Sequence, residues 1–185
     1  MKNFKGTLPN ILTLTNLSLG VIAILLAVNA DRDNYNQLFQ ASMLVIIAAL
    51  TDRFDGKVAR MLDVTSELGK ELDSLSDLIS FGVAPIIIAW KINDYSYLGI
   101  IGYIIAVLFP VAGAYRLARY NISVFDNVFR GIPITIAGAF VSIINLYTCF
   151  SMQRNNYSQS NSNILIGMVV VLSFLMVSKI KFKKI

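Results

Sequence analysis

Seven of the chain's eleven acidic residues fall between Asp52 and Asp77. Carboxylates in a lipid-rich setting are costly and are kept mostly for function. Four of them make two spaced pairs, Asp52 with Asp55 and Asp73 with Asp77, in the string D-x2-D-G-x2-A-R-x8-G-x3-D-x3-D. On a helix advancing about 100° per residue, Asp55 lies about 60° from Asp52, Gly56 about 40° and Ala59 about 20°. Both carboxylates and the two smallest side chains therefore share a face, with Arg60 at its edge. Gly69, Asp73 and Asp77 follow one another at i, i+4 and form a second stripe. A short connection between antiparallel helices would bring the two stripes together.

Facing carboxylates repel. Two unit charges about 4 Å apart do so by roughly 4 kcal/mol at an effective dielectric of about 20. Cations between them remove that penalty, and an oxygen-only ligand set favours hard ions such as Mg²⁺ or Mn²⁺. Four carboxylates suit two divalent cations better than one, an arrangement that recurs in phosphoryl and nucleotidyl transfer. Gly56 and Ala59 clear space beside the carboxylates, and Arg60 can offer a charged fork to phosphate. Metal, clearance and arginine together point to a diphosphate ligand. Charged helix ends at a water-facing loop need no function, and Asp63, Glu67, Lys70 and Glu71 are read that way. The agreement of spacing, sidedness and small residues sets the four Asp apart.

The elements that must hold these residues are membrane helices. The chain is 56% hydrophobic and only 15% charged, far from soluble averages, and apolar runs of 18 or more residues read as spans. Six are expected, at 10–29, 38–60, 72–91, 97–118, 132–150 and 163–179. The second and third are the least regular, because the acidic motif enters their facing ends. The fold class is thus an all-α six-helix membrane bundle, a single membrane-embedded catalytic domain over 1–185.

With both termini cytoplasmic, that side holds thirteen of the sixteen Lys and Arg residues, and only Arg32, Lys91 and Arg154 lie outside. This positive-inside bias puts the acidic motif on the cytoplasmic side. The net charge of +5 is explained by helix ends facing anionic membrane lipids, so no nucleic-acid partner is expected. With no histidine in the chain, acid–base work falls to carboxylates, Lys, Tyr or water. The single cysteine, Cys149, lies in an apolar run and reads as packing. Lys2 and Lys5 before the first apolar run resemble a signal peptide, but Asn10, Thr13 and Asn16 interrupt that run, and a retained helix is expected. The polar segment Gln153–Asn163 reads as a flexible external loop.

The string from Asp52 to Asp77 matches the signature of the CDP-alcohol phosphatidyltransferases at every fixed position, and the chain resembles that family over most of its length. The six spans and the opening Pro9-Asn10-x2-Thr13 are also similar to it. The resemblance implies transfer of a phosphatidyl group from CDP-diacylglycerol to an alcohol, with release of CMP. It implies that Asp52, Asp55, Asp73 and Asp77 hold two divalent cations, Mg²⁺ or Mn²⁺, and that Asp77 is also the general base. Gly56, Ala59, Arg60 and Ser66 would lie against the CDP moiety, with Asn10 and Thr13 closing over it from the first helix. A helix cap and interhelical hydrogen bonds account for Asn10 and Thr13 equally well. The resemblance further implies a homodimer in a prokaryotic plasma membrane. Gly138 and Ala139 could support close packing between subunits or within one.

The acceptor must be read elsewhere. Arg116 and Arg119 lie one turn apart in Arg-Leu-Ala-Arg-Tyr-Asn, at the expected cytoplasmic end of the fourth span. They could bind an anionic acceptor, together with Asn121, or serve only as positive-inside anchors. Arg116–Asn121, Ser80-Phe81-Gly82-Val83-Ala84-Pro85 and Leu8-Pro9-Asn10-x2-Thr13-x2-Asn16-Leu17-x2-Gly20 resemble the branch of the family that uses L-serine. Tyr120 is a mild departure, since that branch often has Phe there. Gly82 and Pro85 would either bend the third span around a lipid substrate or simply pack it. The rival readings are a sister enzyme using glycerol 3-phosphate or inositol phosphate, and a divalent-cation transporter. A transporter should carry its carboxylates near the midplane, with no need of the adjacent Gly, Ala and Arg.

Overall fold

A computed structural model of the chain describes the backbone of residues 2–31, 35–62, 66–122, 128–154 and 159–183, and side chains at 9–31, 35–54, 66–122, 131–154 and 162–180. The described chain is helical apart from one small ribbon. Its helices are α1 (Lys2–Asn29), α2 (Tyr35–Leu62), α3 (Glu67–Asp77), α4 (Ala84–Asn93), α5 (Ile100–Ile122), α6 (Ile134–Gln153) and α7 (Gln159–Val177). A π-helical stretch, Leu78–Val83, joins α3 to α4 without a break, and a 3₁₀ turn, Tyr95–Leu98, leads into α5. Four stretches are long and apolar enough to cross a membrane: Pro9–Asn29, Glu67–Asn93, Ile100–Ile122 and Ile134–Gln153. The sixth expected span coincides with a shorter apolar helix, Ser162–Val177. The second coincides with α2, whose last turns carry the charged motif. The polar loop expected from Gln153 to Asn163 is shorter than that, because helix resumes at Gln159.

The helices meet through small residues. The buried stripe of α1 is Pro9, Thr13, Asn16, Gly20, Ala23 and Ala27, spaced at alternating fours and threes. Its partner stripe on α2 is Leu38, Ala41, Ser42, Val45 and Ala48. The opposite face of α1 exposes Ile11, Leu14, Val21, Ile22, Leu25 and Val28. Small residues inside and large apolar ones outside suit a bundle in lipid, where close backbone approach replaces the hydrophobic drive of a water-soluble core.

Hydroxyls then tie α1 to the helix that carries the second acidic pair. Ser76 Oγ donates to Thr13 O at 3.0 Å, and Ser80 Oγ donates to Asn16 O at 3.0 Å. Ser80 also packs directly on Gly20.

The π stretch has a local cause. Pro85 has no N–H, so the α-helical bond to Phe81 O cannot form, and the turn widens until Ala84 N–H bonds Ile79 O. The expected bend at Gly82 and Pro85 is therefore a widened turn inside a continuous helix. Phe81 O lies against Gly138 of α6, and Asn145 Nδ2 donates to Pro85 O at 2.9 Å.

The start of α6 is set from the other side. Two short strands, β1 (Val128–Arg130) and β2 (Lys181–Lys183), pair antiparallel, bringing the segment after α7 to the loop before α6. Gly131 has φ 75°, and a Cβ there would press into the carbonyl of Met176. Its N–H bonds Ile180 O at 3.1 Å, and Ile132 N–H bonds Leu175 O at 3.3 Å.

A methyl group at Gly138 would run into the backbone of Phe81, so Gly138→Ala should destabilise the bundle by about 1–3 kcal/mol. Gly167→Ala, with open space around it, should be neutral or slightly stabilising. Thermal unfolding of the two variants in detergent checks the contrast.

Candidate metal and substrate site

Ser66 starts the helix that carries two of the acids. Its hydroxyl accepts from Gly69 N–H at 3.0 Å, and Glu67 sits in the first turn, where the helix dipole favours an anion. From that start Asp73 and Asp77 project toward α2, and Asp52 comes from α2 to meet them. One carboxylate oxygen from each of Asp52, Asp73 and Asp77 lies within 4.8 Å of the others. At that separation each like-charged pair repels by roughly 3 kcal/mol at a dielectric of about 20. Oxygen-only donors from two helices, crowded this closely, fit a hard divalent cation.

Asp55, Gly56, Ala59 and Arg60 continue α2, and their side chains lie outside the described residues. Asn10 is half-buried. A Cβ added to Gly69 would meet Ser66 Oγ at 3.0 Å and Asn10 Oδ1 at 3.1 Å. Gly69 thus keeps a small polar cradle open between Asn10 and Ser66, beside the carboxylates. Thr13 is buried and its hydroxyl donates to Pro9 O at 3.1 Å, within its own helix.

Thr135, not singled out in the sequence, belongs to the site. Its hydroxyl lies 3.4 Å from Asp52 Oδ2 and 3.5 Å from Asp77 Oδ2, bridging acids from two helices. The signal for it was local: Gly131-Ile132-Pro133 is a turn followed by a helix start, so Thr135 had to fall in a first turn. Nothing in the sequence showed that this turn would face Asp52 and Asp77.

The three residues expected at the acceptor separate. Arg116 is buried, within electrostatic reach of Asp77, and its guanidinium carbon stands 6.0 Å from the Tyr120 ring centroid. Arg119 points elsewhere. It donates to Val177 O at 2.9 Å and Ser178 O at 3.3 Å, capping the end of α7. Asn121 Nδ2 donates to Ser74 Oγ at 3.0 Å, and its carbonyl accepts from Lys70 Nζ at 3.1 Å. It ties the end of α5 to α3.

A helical bundle with a carboxylate cluster of this spacing has close relatives. The family model for CDP-alcohol phosphatidyltransferases matches residues 6–178, and the chain belongs to that family. It is 36% identical to the CDP-diacylglycerol–serine O-phosphatidyltransferase of Helicobacter pylori strain J99, over 96% of this chain and 73% of the relative. It is 33% identical to the protein of that name from Bacillus subtilis strain 168, over 95% of this chain and 89% of the relative. It is also 33% identical to the archaetidylserine synthase of Methanothermobacter thermautotrophicus, over 96% and 70% respectively.

Neutralising one of three crowded carboxylates has opposite effects with and without metal. In EDTA, Asp73→Asn should unfold at a higher temperature than the parent protein, because a repulsion is gone. With Mn²⁺ present it should lose most of the metal-induced rise, with affinity down by more than about tenfold. Thermal unfolding in the two buffers reads both effects.

Proposed function

We infer that the protein transfers a phosphatidyl group from CDP-diacylglycerol to the hydroxyl of L-serine, releasing CMP. The observation that carries this reading is the carboxylate cluster of Asp52, Asp73 and Asp77 with the buried Arg116 within electrostatic reach of Asp77. The names of the relatives support serine as acceptor. So does the division of labour between the arginines. A single-charged carboxylate is matched by one guanidinium, whereas a phosphate monoester is better held by two cations. With Arg119 engaged by the α7 carbonyls, Arg116 is the arginine left for the acceptor.

Two divalent cations, Mg²⁺ or Mn²⁺, held by Asp52, Asp55, Asp73 and Asp77, would neutralise the diphosphate and the charge growing on the leaving CMP. Asn10, Thr13, Gly56, Ala59, Arg60 and Ser66 surround the CDP moiety, and the opening at Gly69 gives it room. Asp77 takes the proton from the serine hydroxyl, and the resulting oxygen attacks the lipid-side phosphorus. The new P–O bond forms as the bond to CMP breaks. Attack is direct: among the described residues no Ser or Cys stands beside a base as a covalent nucleophile.

The same reading makes 1–185 one catalytic domain, with α2 and α7 completing a six-span bundle. Both termini and the site face the cytoplasm of a prokaryotic plasma membrane, as the basic residues favour, and two chains associate as a homodimer.

The test uses purified protein in detergent with CDP-diacylglycerol and Mn²⁺, offered L-serine, glycerol 3-phosphate or inositol phosphate in turn. CMP release should require serine; release with another acceptor alone would assign a sister activity, and none with any acceptor would point to ion transport. Asp77→Asn should abolish release while keeping CDP-diacylglycerol binding, and turnover at the parent rate would refute the base assignment. Arg116→Gln should raise the KM for serine by more than about tenfold, a loss comparable to a charge-assisted hydrogen bond. Arg119→Gln should instead lower the unfolding temperature and leave that KM nearly unchanged.

A further inference from the structure

Asn16 is fully buried in α1, and neither its Nδ2 nor its Oδ1 has a hydrogen-bond partner among the described residues. Nearby polar side chains on the same face are satisfied: Thr13 bonds Pro9 O, and Ser76 and Ser80 bond α1 carbonyls. An amide with both ends unpaired in a packed interior is unfavourable, and native structures rarely keep one without a water, an ion or a role. Leucine has the same branching and number of side-chain heavy atoms, and would occupy the position without that polar penalty.

The fold places this amide on the α1 face that meets the helix carrying Asp73 and Asp77. The bonds from Ser76 to Thr13 O and from Ser80 to Asn16 O bracket Asp77 along the chain. Helical side chains lean toward the N-terminus of their own helix, so the Asn16 amide leans from the level of Ser80 toward that of Ser76. Asp77 lies between those levels. Asn16 also falls on the α1 face that packs on α2, whose buried residue one turn before Asp52 is Ala48. Yet Asn16 makes no hydrogen bond to any carboxylate. A buried amide that faces a carboxylate-bearing helix without a direct bond is the arrangement that a bridging water completes.

We propose that Asn16 is a positioning residue of the metal site, its carboxamide binding a metal-associated water on the inner side of Asp52 and Asp77. Oδ1 accepts from that water, whose O–H is a strong donor when the oxygen lies on a cation. The water links α1 to the acids and so transmits the fixed position of α1 to the ions. This inference rests on the metal reading of the site.

The experiment compares parent protein, Asn16→Leu, Asn16→Ala and Asn16→Ser in detergent. Mn²⁺ binding is followed by calorimetry, and thermal unfolding is measured in EDTA and in Mn²⁺. Asn16→Leu should bind Mn²⁺ about 10- to 100-fold more weakly, the usual effect of losing an outer partner of a metal ligand. In EDTA it should unfold at or above the parent temperature. Should Asn16→Leu fail to fold, the smaller pair reads the same quantity: Asn16→Ala loses affinity, and Asn16→Ser, which keeps a hydroxyl, retains more of it. Parent-like Mn²⁺ affinity in the folded Leu or Ala variant overturns the proposal. So does an equal loss of stability with and without Mn²⁺, which would make Asn16 a packing residue. Absence of Mn²⁺ binding by the parent protein would instead overturn the metal reading itself.

Discussion

Three carboxylates from two helices, held within 4.8 Å of one another, push the bundle apart at its charged end. Everything around them acts against that repulsion. Thr135 places a hydroxyl between Asp52 and Asp77. Ser76 and Ser80 pin the acidic helix to the backbone of α1. Asn121 and Lys70 tie the same helix to α5. A cation held among them would turn the repulsion into attraction and so couple ion binding to bundle stability.

The rest of the architecture follows from close approach. Gly20 against Ser80 and Gly138 against Phe81 let α1 and α6 come to the same helix from different sides. The widened turn at Leu78–Val83 follows directly after Asp77. Such turns are rare and often found at functional sites. Here Pro85 causes it, and its carbonyl is used by Asn145. On the far side, the β1–β2 ribbon and Gly131 fix the loop before α6 to the end of α7. The position of Thr135 therefore depends on residues more than forty places later in the chain.

The two arginines show how equal motifs acquire unequal surroundings. Arg116 and Arg119 are one turn apart on one helix, so both were equally fit for an anionic acceptor. The bundle buries Arg116 within electrostatic reach of Asp77 and leaves Arg119 at the end of α7. A helix that passes between the site and another helix end divides its charges by angle, and one turn's separation is enough.

Much of this was legible in the residue order. Local periodicity placed Asp52, Asp73 and Asp77 on facing stripes, because i, i+4 spacing is a property of one helix. Like-charge repulsion then called for cations between them, an expectation that the crowding of Asp52, Asp73 and Asp77 fits. Apolar run lengths marked where the helices lie, and the fixed positions of the acidic string pointed to the family. The partners across the bundle could not be read this way. Thr135 reaches Asp52 over 83 positions, and Ser80 reaches Asn16 over 64. Such contacts depend on how helices are ordered around one another and rotated about their axes. Rotation is set by the sum of many small packing contacts, which no single segment contains. The sequence alone marked the residues expected to hold metal and diphosphate; the tertiary structure decided which neighbours surround the three of them, Asp52, Asp73 and Asp77, that it brings together.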